Sequence, residues 1–207
     1  MKDMNTSFAS SARMAWAALR MLLVLTVVTG IAYPLLVTGI GQALFNDKAN
    51  GSMVEVDGKE VGSTLIGQSW NLPGTDKPDP KWFQGRPSNS GYDPLTTGSS
   101  QLGAGDPTLV KNVKAAKKQV AEFNGVPESE VPKDAVTGSS SAIDPHISPE
   151  YADLQVKRVA EKNGLTAAQV QQLVDEHTDG RTLGFMGEPH VNVLELNIAL
   201  KELAAKS

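Results

Sequence analysis

The sequence predicts an α+β protein: one N-terminal transmembrane helix, then a mixed domain of a small β-sheet and about four helices. Three observations predict it. Residues 21–46 contain no Asp, Glu, Lys or Arg, an uncharged stretch long enough to cross a bilayer. Asp57-Gly58 separates two short runs of strand-forming residues, the signal of a tight hairpin. The C-terminal half then repeats a cap, an amphipathic run and a stop, which is how helices announce themselves.

An α-helix rises about 1.5 Å per residue, so a hydrocarbon layer roughly 30 Å thick needs about 20 mainly apolar residues. The 26 residues of this run suffice. Gly30-Ile31-Ala32 has the small-x-small form of a leader-cleavage site, but apolar residues continue past it through Leu35, Leu36, Val37, Ile40, Leu44 and Phe45. A retained anchor is therefore expected. Lys2, Arg13 and Arg20 precede the span against Asp3 alone, and Asp47 and Lys48 cancel just after it. The positive-inside rule then puts residues 1–20 in the cytoplasm, residues 21–46 in the membrane and residues 47–207 outside. That outer part holds 16 basic and 22 acidic residues, a net charge of −6.

Within the span, Thr26, Gly30, Pro34, Thr38 and Gln42 recur every four residues and are small, polar or kink-forming. Helices associate in lipid by close packing and interhelical hydrogen bonds, and such a row lets a second helix approach. The row is the expected helix-packing face. Pro34 is expected to bend the helix, because it removes a backbone donor and crowds the carbonyl four residues earlier.

Residues 47–107 contain 10 Gly and 6 Pro among 61 residues, a composition close to that of disordered chains. Trp70, Trp82, Phe83 and Tyr92 argue instead for ordered loops held on aromatic side chains. Met53-Val54-Glu55-Val56 and Lys59-Glu60-Val61 flank Asp57-Gly58, which predicts a type I′ hairpin, and Leu65-Ile66-Gly67-Gln68-Ser69-Trp70 reads as a further strand. Beyond them, Asp106-Pro107 opens a helix with Leu109, Val113, Ala116, Val120 and Phe123 on one face and Asn124-Gly125 as its stop. Ser148-Pro149 opens a second, with Ala152, Val156, Val159 and Ala160 inward. Thr166 and Gln169 form a capping box for a third, with Leu165 and Val170 as its staple; Asn192 and Glu195, with Val191 and Leu196, repeat that arrangement for the last.

Composition excludes several functions. Lys and Arg total 19 against 23 for Asp and Glu, a net charge of −4, so the basic footprint of a nucleic-acid binder is missing. The chain has no cysteine, which removes thiolate nucleophiles, disulfides, iron–sulfur clusters and Cys-ligated zinc and leaves the redox compartment open. Asp144-Pro145-His146-Ile147-Ser148 is the densest polar cluster. Asp144 and His146 have the chemistry of a metal site or an acid–base pair, but Asp and Ser beside prolines first suggest a turn and a helix cap. His177 falls on an apolar helix face. The loop from Gly98 to Asp106 precedes a helix, where backbone N–H groups cradle anions, yet Ala104-Gly105-Asp106 places a negative charge where a phosphate loop needs Gly-Lys-Ser/Thr. Lys111, Lys114, Lys117 and Lys118 read as a solvated face. No catalytic residue and no metal ligand is assigned.

Several peptides carry a family resemblance: Tyr33-Pro34-Leu35-Leu36-Val37-Thr38-Gly39-Ile40, Gly62-Ser63-Thr64-Leu65-Ile66-Gly67-Gln68, Phe83-Gln84-Gly85-Arg86-Pro87-Ser88, Asp144-Pro145-His146-Ile147-Ser148-Pro149, Gln155-Val156-Lys157-Arg158-Val159-Ala160 and Val191-Asn192-Val193-Leu194-Glu195-Leu196-Asn197. From about Met21 to its end the chain resembles the KdpC family, the small C subunits of bacterial ATP-driven high-affinity potassium pumps. The resemblance implies a non-catalytic, single-pass subunit of the cytoplasmic (inner) membrane, in contact with membrane lipid. Its implied partners are a potassium channel-like A subunit, a P-type ATPase B subunit and a very small F subunit; nucleic acid is not among them. It implies assembly and stabilisation of those subunits and a cover over the extracellular potassium entrance. It also implies an alternative, a catalytic chaperone that raises the ATP affinity of the ATPase subunit, with Gln155 at the nucleotide. ATP is then the one ligand implied, and no firmly bound cofactor is. The topology argument places Gln155 outside, where ATP is scarce, and on an amphipathic helix beside Ala152, Val156 and Val159 a glutamine is also an ordinary hydrogen-bonding residue.

Overall fold

A computed structural model describes the backbone of residues 5–206, with side chains from Ser10 onward. Lys2 and Asp3, on which part of the orientation argument rests, lie outside the described residues. The chain divides into two units, residues 1–52 and residues 53–207.

The first unit is helical. Helix α1 (Asn5–Val27) passes through a π-helical turn (Val28–Ala32) into α2 (Tyr33–Leu44), and a short α3 (Asn46–Ala49) follows. The helix begins well before the uncharged run, and Ser10–Leu44, 35 residues long, corresponds to about 52 Å of rise. Just before Pro34 the helix passes through a widened turn. The Tyr33 N–H reaches Val28 O across five residues, which loosens the backbone just where the proline ring would crowd the Gly30 carbonyl. The Thr29 hydroxyl donates to Leu25 O at 2.7 Å and so is satisfied within the helix, as lipid requires. Phe45 leaves helical geometry (φ −138°, ψ 44°) and ends α2.

The second unit opens with a hairpin of β1 (Met53–Val56) and β2 (Lys59–Ser63). Asp57 and Gly58 both take positive φ, 54° and 72°, as a type I′ turn demands. The register slips at Val54/Glu55, so that Val61 bulges out of the ladder. Leu65-Ile66-Gly67-Gln68-Ser69-Trp70, read as a strand, is not one: it forms turns and irregular backbone, with Leu65 61% exposed. Gly67 shows why. A Cβ there would lie 2.5 Å from Tyr92 Cε1 and 2.7 Å from the Asp144 carbonyl oxygen, so the segment is pressed against neighbouring loops and has no space for a ladder partner.

A second sheet was not foreseen. Strands β3 (His146–Ile147), β4 (Thr178–Asp179) and β5 (His190–Asn192) form an antiparallel sheet in the order β3-β5-β4. Four helices complete the unit: α4 (Pro107–Asn124), α5 (Pro149–Asn163), α6 (Ala167–Glu176) and α7 (Val193–Lys206). Their caps are those the sequence specifies. Asp106, Ser148 and Thr166 accept from backbone N–H groups in the first turns, Gly125 and Gly164 take left-handed φ at the ends, and the Thr166/Gln169 box is complete. At α7, Asn192 Oδ1 accepts from the backbone of Leu194 and Glu195 while Asn192 itself lies in the ladder opposite His146. Val156, Val159, Val170, Val174, Val191, Leu196 and Leu200 meet Phe83 in one core.

Replacing Gly67 with Ala is expected to lower the stability of this unit by about 2 kcal/mol through overpacking. The Gly103→Ala change, made where no atom stands within 4 Å of the added Cβ, is expected to leave it nearly unchanged. Urea unfolding in detergent, followed by tryptophan fluorescence, checks both.

Candidate functional site

Two sets of residues are candidates, one in each unit, and their geometry differs in kind. On the membrane helix, Thr26, Gly30, Pro34 and Thr38 are exposed; a Cβ on Gly30 would meet nothing closer than Thr26 Cγ2 at 4.0 Å, and one on Gly39 would meet nothing within 4 Å. In a straight α-helix a residue at every fourth place drifts by about 40° per step. Gln42 would then lie about 160° round from Thr26, nearly opposite. A π-turn takes up one extra residue, about 100° of rotation, and leaves the two ends of the row about 60° apart. The widened turn at Val28–Ala32 therefore keeps the row on one side. Gln42 has a second role: its amide donates to Asn50 Oδ1 at 3.1 Å and accepts from Asn46 Nδ2 and Asn50 Nδ2 at 3.0 and 3.2 Å, tying the end of α2 to α3.

In the second unit, Gln155 is 0% exposed. It is not a surface or boundary residue of α5, because the irregular segment of residues 80–86 lies directly over it. Its Oε1 accepts from Gln84 N and Arg158 Nη2, both at 2.7 Å, and its Nε2 donates to Gln84 O at 3.1 Å and Tyr151 O at 3.2 Å. An amide offers two donors and two acceptor lone pairs, so nothing remains for a ligand while this arrangement holds. Asn197 of α7 does the same one residue earlier, accepting from Phe83 N at 2.9 Å and donating to Phe83 O at 3.0 Å. Arg158 donates through Nη1 to the carbonyls of Pro80 and Trp82 and through Nε to Asn124, and its guanidinium lies 4.4 Å from the Phe123 ring centre. Desolvation pulls its pKa down to about 10, which leaves it charged at neutral pH. Nothing local in the sequence marks Arg158 or Asn197, because their partners lie 76 and 114 residues away.

The cluster read around Asp144 and His146 forms the wall of a shallow cleft. Arg86 Nη1 pairs with Asp144 Oδ2 at 3.1 Å, and Arg86 also donates to the carbonyls of Thr137 and Gly138. Burial alone would raise the Asp144 pKa, but hydrogen bonds from the His146 ring and backbone, with the Arg86 charge, hold it below the ordinary carboxylate value. His146 lies 3.4 Å from Asp144 and edge-on to His190, ring centres 4.4 Å apart; His190, missed in the sequence, arrives because β5 runs beside β3. Tyr92, pushed up to about 12 chiefly by burial, donates to Arg86 O at 2.6 Å. Ser148 caps α5 and is held by Asp134 through both its N–H and its hydroxyl. His177 ends α6 with Nδ1 on Leu173 O, a packed cap. The helix end after the glycine-rich loop is filled by its own Asp106 carboxylate, 2.7 Å from Thr108 N. Among the described residues no group of three or more His, Asp or Glu is placed to hold a metal ion.

Comparison with known proteins adds the identity. The profile of the family described as K+-transporting ATPase, c chain, matches residues 15–202. The chain belongs to the KdpC family. Similar relatives are the potassium-transporting ATPase KdpC subunits of Streptomyces avermitilis, 57% identical over 99% of this chain and 100% of the relative, and of Streptomyces coelicolor, 57% identical over 98% of both. The Mycobacterium tuberculosis KdpC subunit is 47% identical over 90% of this chain and 96% of its own length. In this KdpC-family chain, therefore, Gln155 is a buried strut that ties α5 to the backbone of residue 84 and is braced by Arg158 of the same helix.

Gln155→Leu is expected to cost about 3 kcal/mol, because it strands the Gln84 backbone and one Arg158 donor in the interior; the midpoint and slope of urea unfolding measure it. Asp144 contributes stability that is fully present above the unfolded carboxylate pKa and is lost as pH falls through its lowered folded value. Thermal melts below about pH 4 should therefore fall more steeply for the unaltered chain than for Asp144→Asn.

Proposed function

We propose that this chain is the anchoring and assembling subunit of a potassium-transporting ATPase complex, lying in the bacterial inner membrane with its N-terminus inside and its main domain outside. In this reading the helix packs, through Thr26, Gly30, Pro34, Thr38 and Gln42, against a channel-like A subunit or a P-type ATPase B subunit, with the small F subunit as a further partner. The outer domain sits over the potassium entrance. The observation that carries the reading is the helix row itself: five residues spaced by four and held to one side by the π-turn, open to solvent or lipid in the isolated chain. A single helix encloses no pore, so conduction and phosphorylation fall to the partners. The net charge of −6 from residue 47 onward favours cations near the entrance, within the roughly 10 Å over which salt leaves exposed charges effective.

The alternative reading, a chaperone that contacts ATP through Gln155, requires that side chain to leave four hydrogen bonds and a site of zero exposure. It also requires the outer domain to face the cytoplasm.

Two experiments test the proposal. Gly30→Leu is expected to reduce recovery of this chain with the other subunits several-fold, by filling the groove; unchanged recovery removes the helix-face claim. Because the chain has no native cysteine, a cysteine placed at Lys114 should be labelled in intact cells by a membrane-impermeant maleimide, and labelling only after lysis would reverse the topology.

A further inference from the structure

Charge in the first unit is confined to its two ends. Between residues 4 and 46 the sequence holds two cations, Arg13 and Arg20, and neither Asp nor Glu. Trp16 stands between the two arginines. At 100° per residue, positions 13, 16 and 20 fall within about 60° of one another on α1, so they form one face. Trp16 is 57% exposed, and the Arg20 Cζ atom lies over its ring, 5.4 Å from the centre. Arg13 is well inside α1, which begins at Asn5, and so lies beyond the first four backbone N–H groups that a helix leaves unpaired. The chemistry of this face is therefore that of its side chains.

Depth gives the face its surroundings. The uncharged residues 21–44 of the helix rise about 36 Å, against a hydrocarbon layer of roughly 30 Å with about 5–8 Å of headgroups on each side. At the far end α2 stops at Leu44, and Asn46, Asp47 and Lys48 follow. With that end at one surface, Arg20 emerges among the headgroups of the other, and Trp16, four residues back, stands about 6 Å further out. Indole settles at that level, where an apolar body and a polar N–H are both accommodated. Guanidinium meets phosphate through two parallel N–H bonds, and a guanidinium stacked on an indole keeps that edge available.

We infer that Arg13, Trp16 and Arg20 form a headgroup site for an anionic phospholipid on the N-terminal side of the span. The inference rests on the membrane-spanning reading above. Charge complementarity selects the ligand: two cations with no carboxylate among residues 4–46 draw their countercharge from outside the helix. A zwitterionic headgroup brings an ammonium that opposes the arginines, whereas an anionic one brings net negative charge. Each arginine near such a surface adds roughly a fivefold preference. The site also fixes the depth of the helix, because Arg20 enters the hydrocarbon only by giving up its phosphate.

The test uses the full chain, purified with the subunits that accompany it and reconstituted into vesicles of equal parts phosphatidylglycerol and phosphatidylcholine in both leaflets, so that orientation does not enter. A photoreactive phenylalanine analogue replaces Ala17, an exposed neighbour of the three residues, and the adducts formed on irradiation are identified by mass. Phosphatidylglycerol adducts are expected at least about fivefold over phosphatidylcholine adducts, and the double variant Arg13→Gln, Arg20→Gln should bring the ratio to about one. Equal labelling of the two lipids with both arginines present, a ratio that the double variant keeps, an adduct with another protein subunit, or no adduct overturns the inference. Release of the unaltered chain from the vesicles by alkaline carbonate overturns the membrane-spanning reading as well.

Discussion

The Arg158 guanidinium is buried against carbonyl oxygens and the Gln155 amide, so its charge is balanced by dipoles. An ion in such a place is tolerable only while nearly every donor is used, and the donors are used on the backbone of residues 80 and 82. Gln155 and Asn197 complete the grip on residues 83 and 84 from two different helices, and Asn163 takes the Lys81 carbonyl at 2.8 Å. Five consecutive residues of irregular backbone are thus satisfied by side chains of α5 and α7 and by Asn163 at the end of α5. This is why Phe83 can be fully buried on a segment with no secondary structure, and why Gly85 must stay small: a Cβ there would collide with the Tyr92 hydroxyl.

That constraint propagates outward. With residues 80–86 fixed, Arg86 is delivered to Asp144, Asp144 to His146, and the short β3 to its place beside β5. The second unit is consequently cross-linked by hydrogen bonds where its polar residues concentrate. Its cleft is lined by groups already committed to one another, and among the described residues no buried side-chain polar atom is left without a partner.

Local chemistry made the helices readable. Asp106, Ser148 and Thr166 act on residues two or three places away, and Asp57-Gly58 needs only its own φ angles, so each could be read in isolation. The clamp could not be read, because Gln155, Arg158 and Asn197 look like ordinary polar residues until the fold brings loop carbonyls over them. The false strand at residues 65–70 has the same origin: Gly67 is pressed against Tyr92 and a carbonyl, and that contact is tertiary. The sheet of β3, β5 and β4 escaped notice because strands of two or three residues carry no periodicity, and with it the meeting of His146 and His190. In the membrane helix the row of small residues was visible, whereas the π-turn that keeps it on one side follows from backbone geometry around Pro34.

Side-chain amides of α5 and α7 hold residues 83 and 84, and the four hydrogen bonds of the Gln155 amide are all made within the fold. Hydrogen–deuterium exchange on the full chain, with and without Mg-ATP, reads that arrangement directly. The Phe83 and Gln84 amides are expected to exchange as slowly as the core of α5 and not to respond to ATP. Exchange on the timescale of the exposed loops, or protection that changes when nucleotide is added, would contradict it.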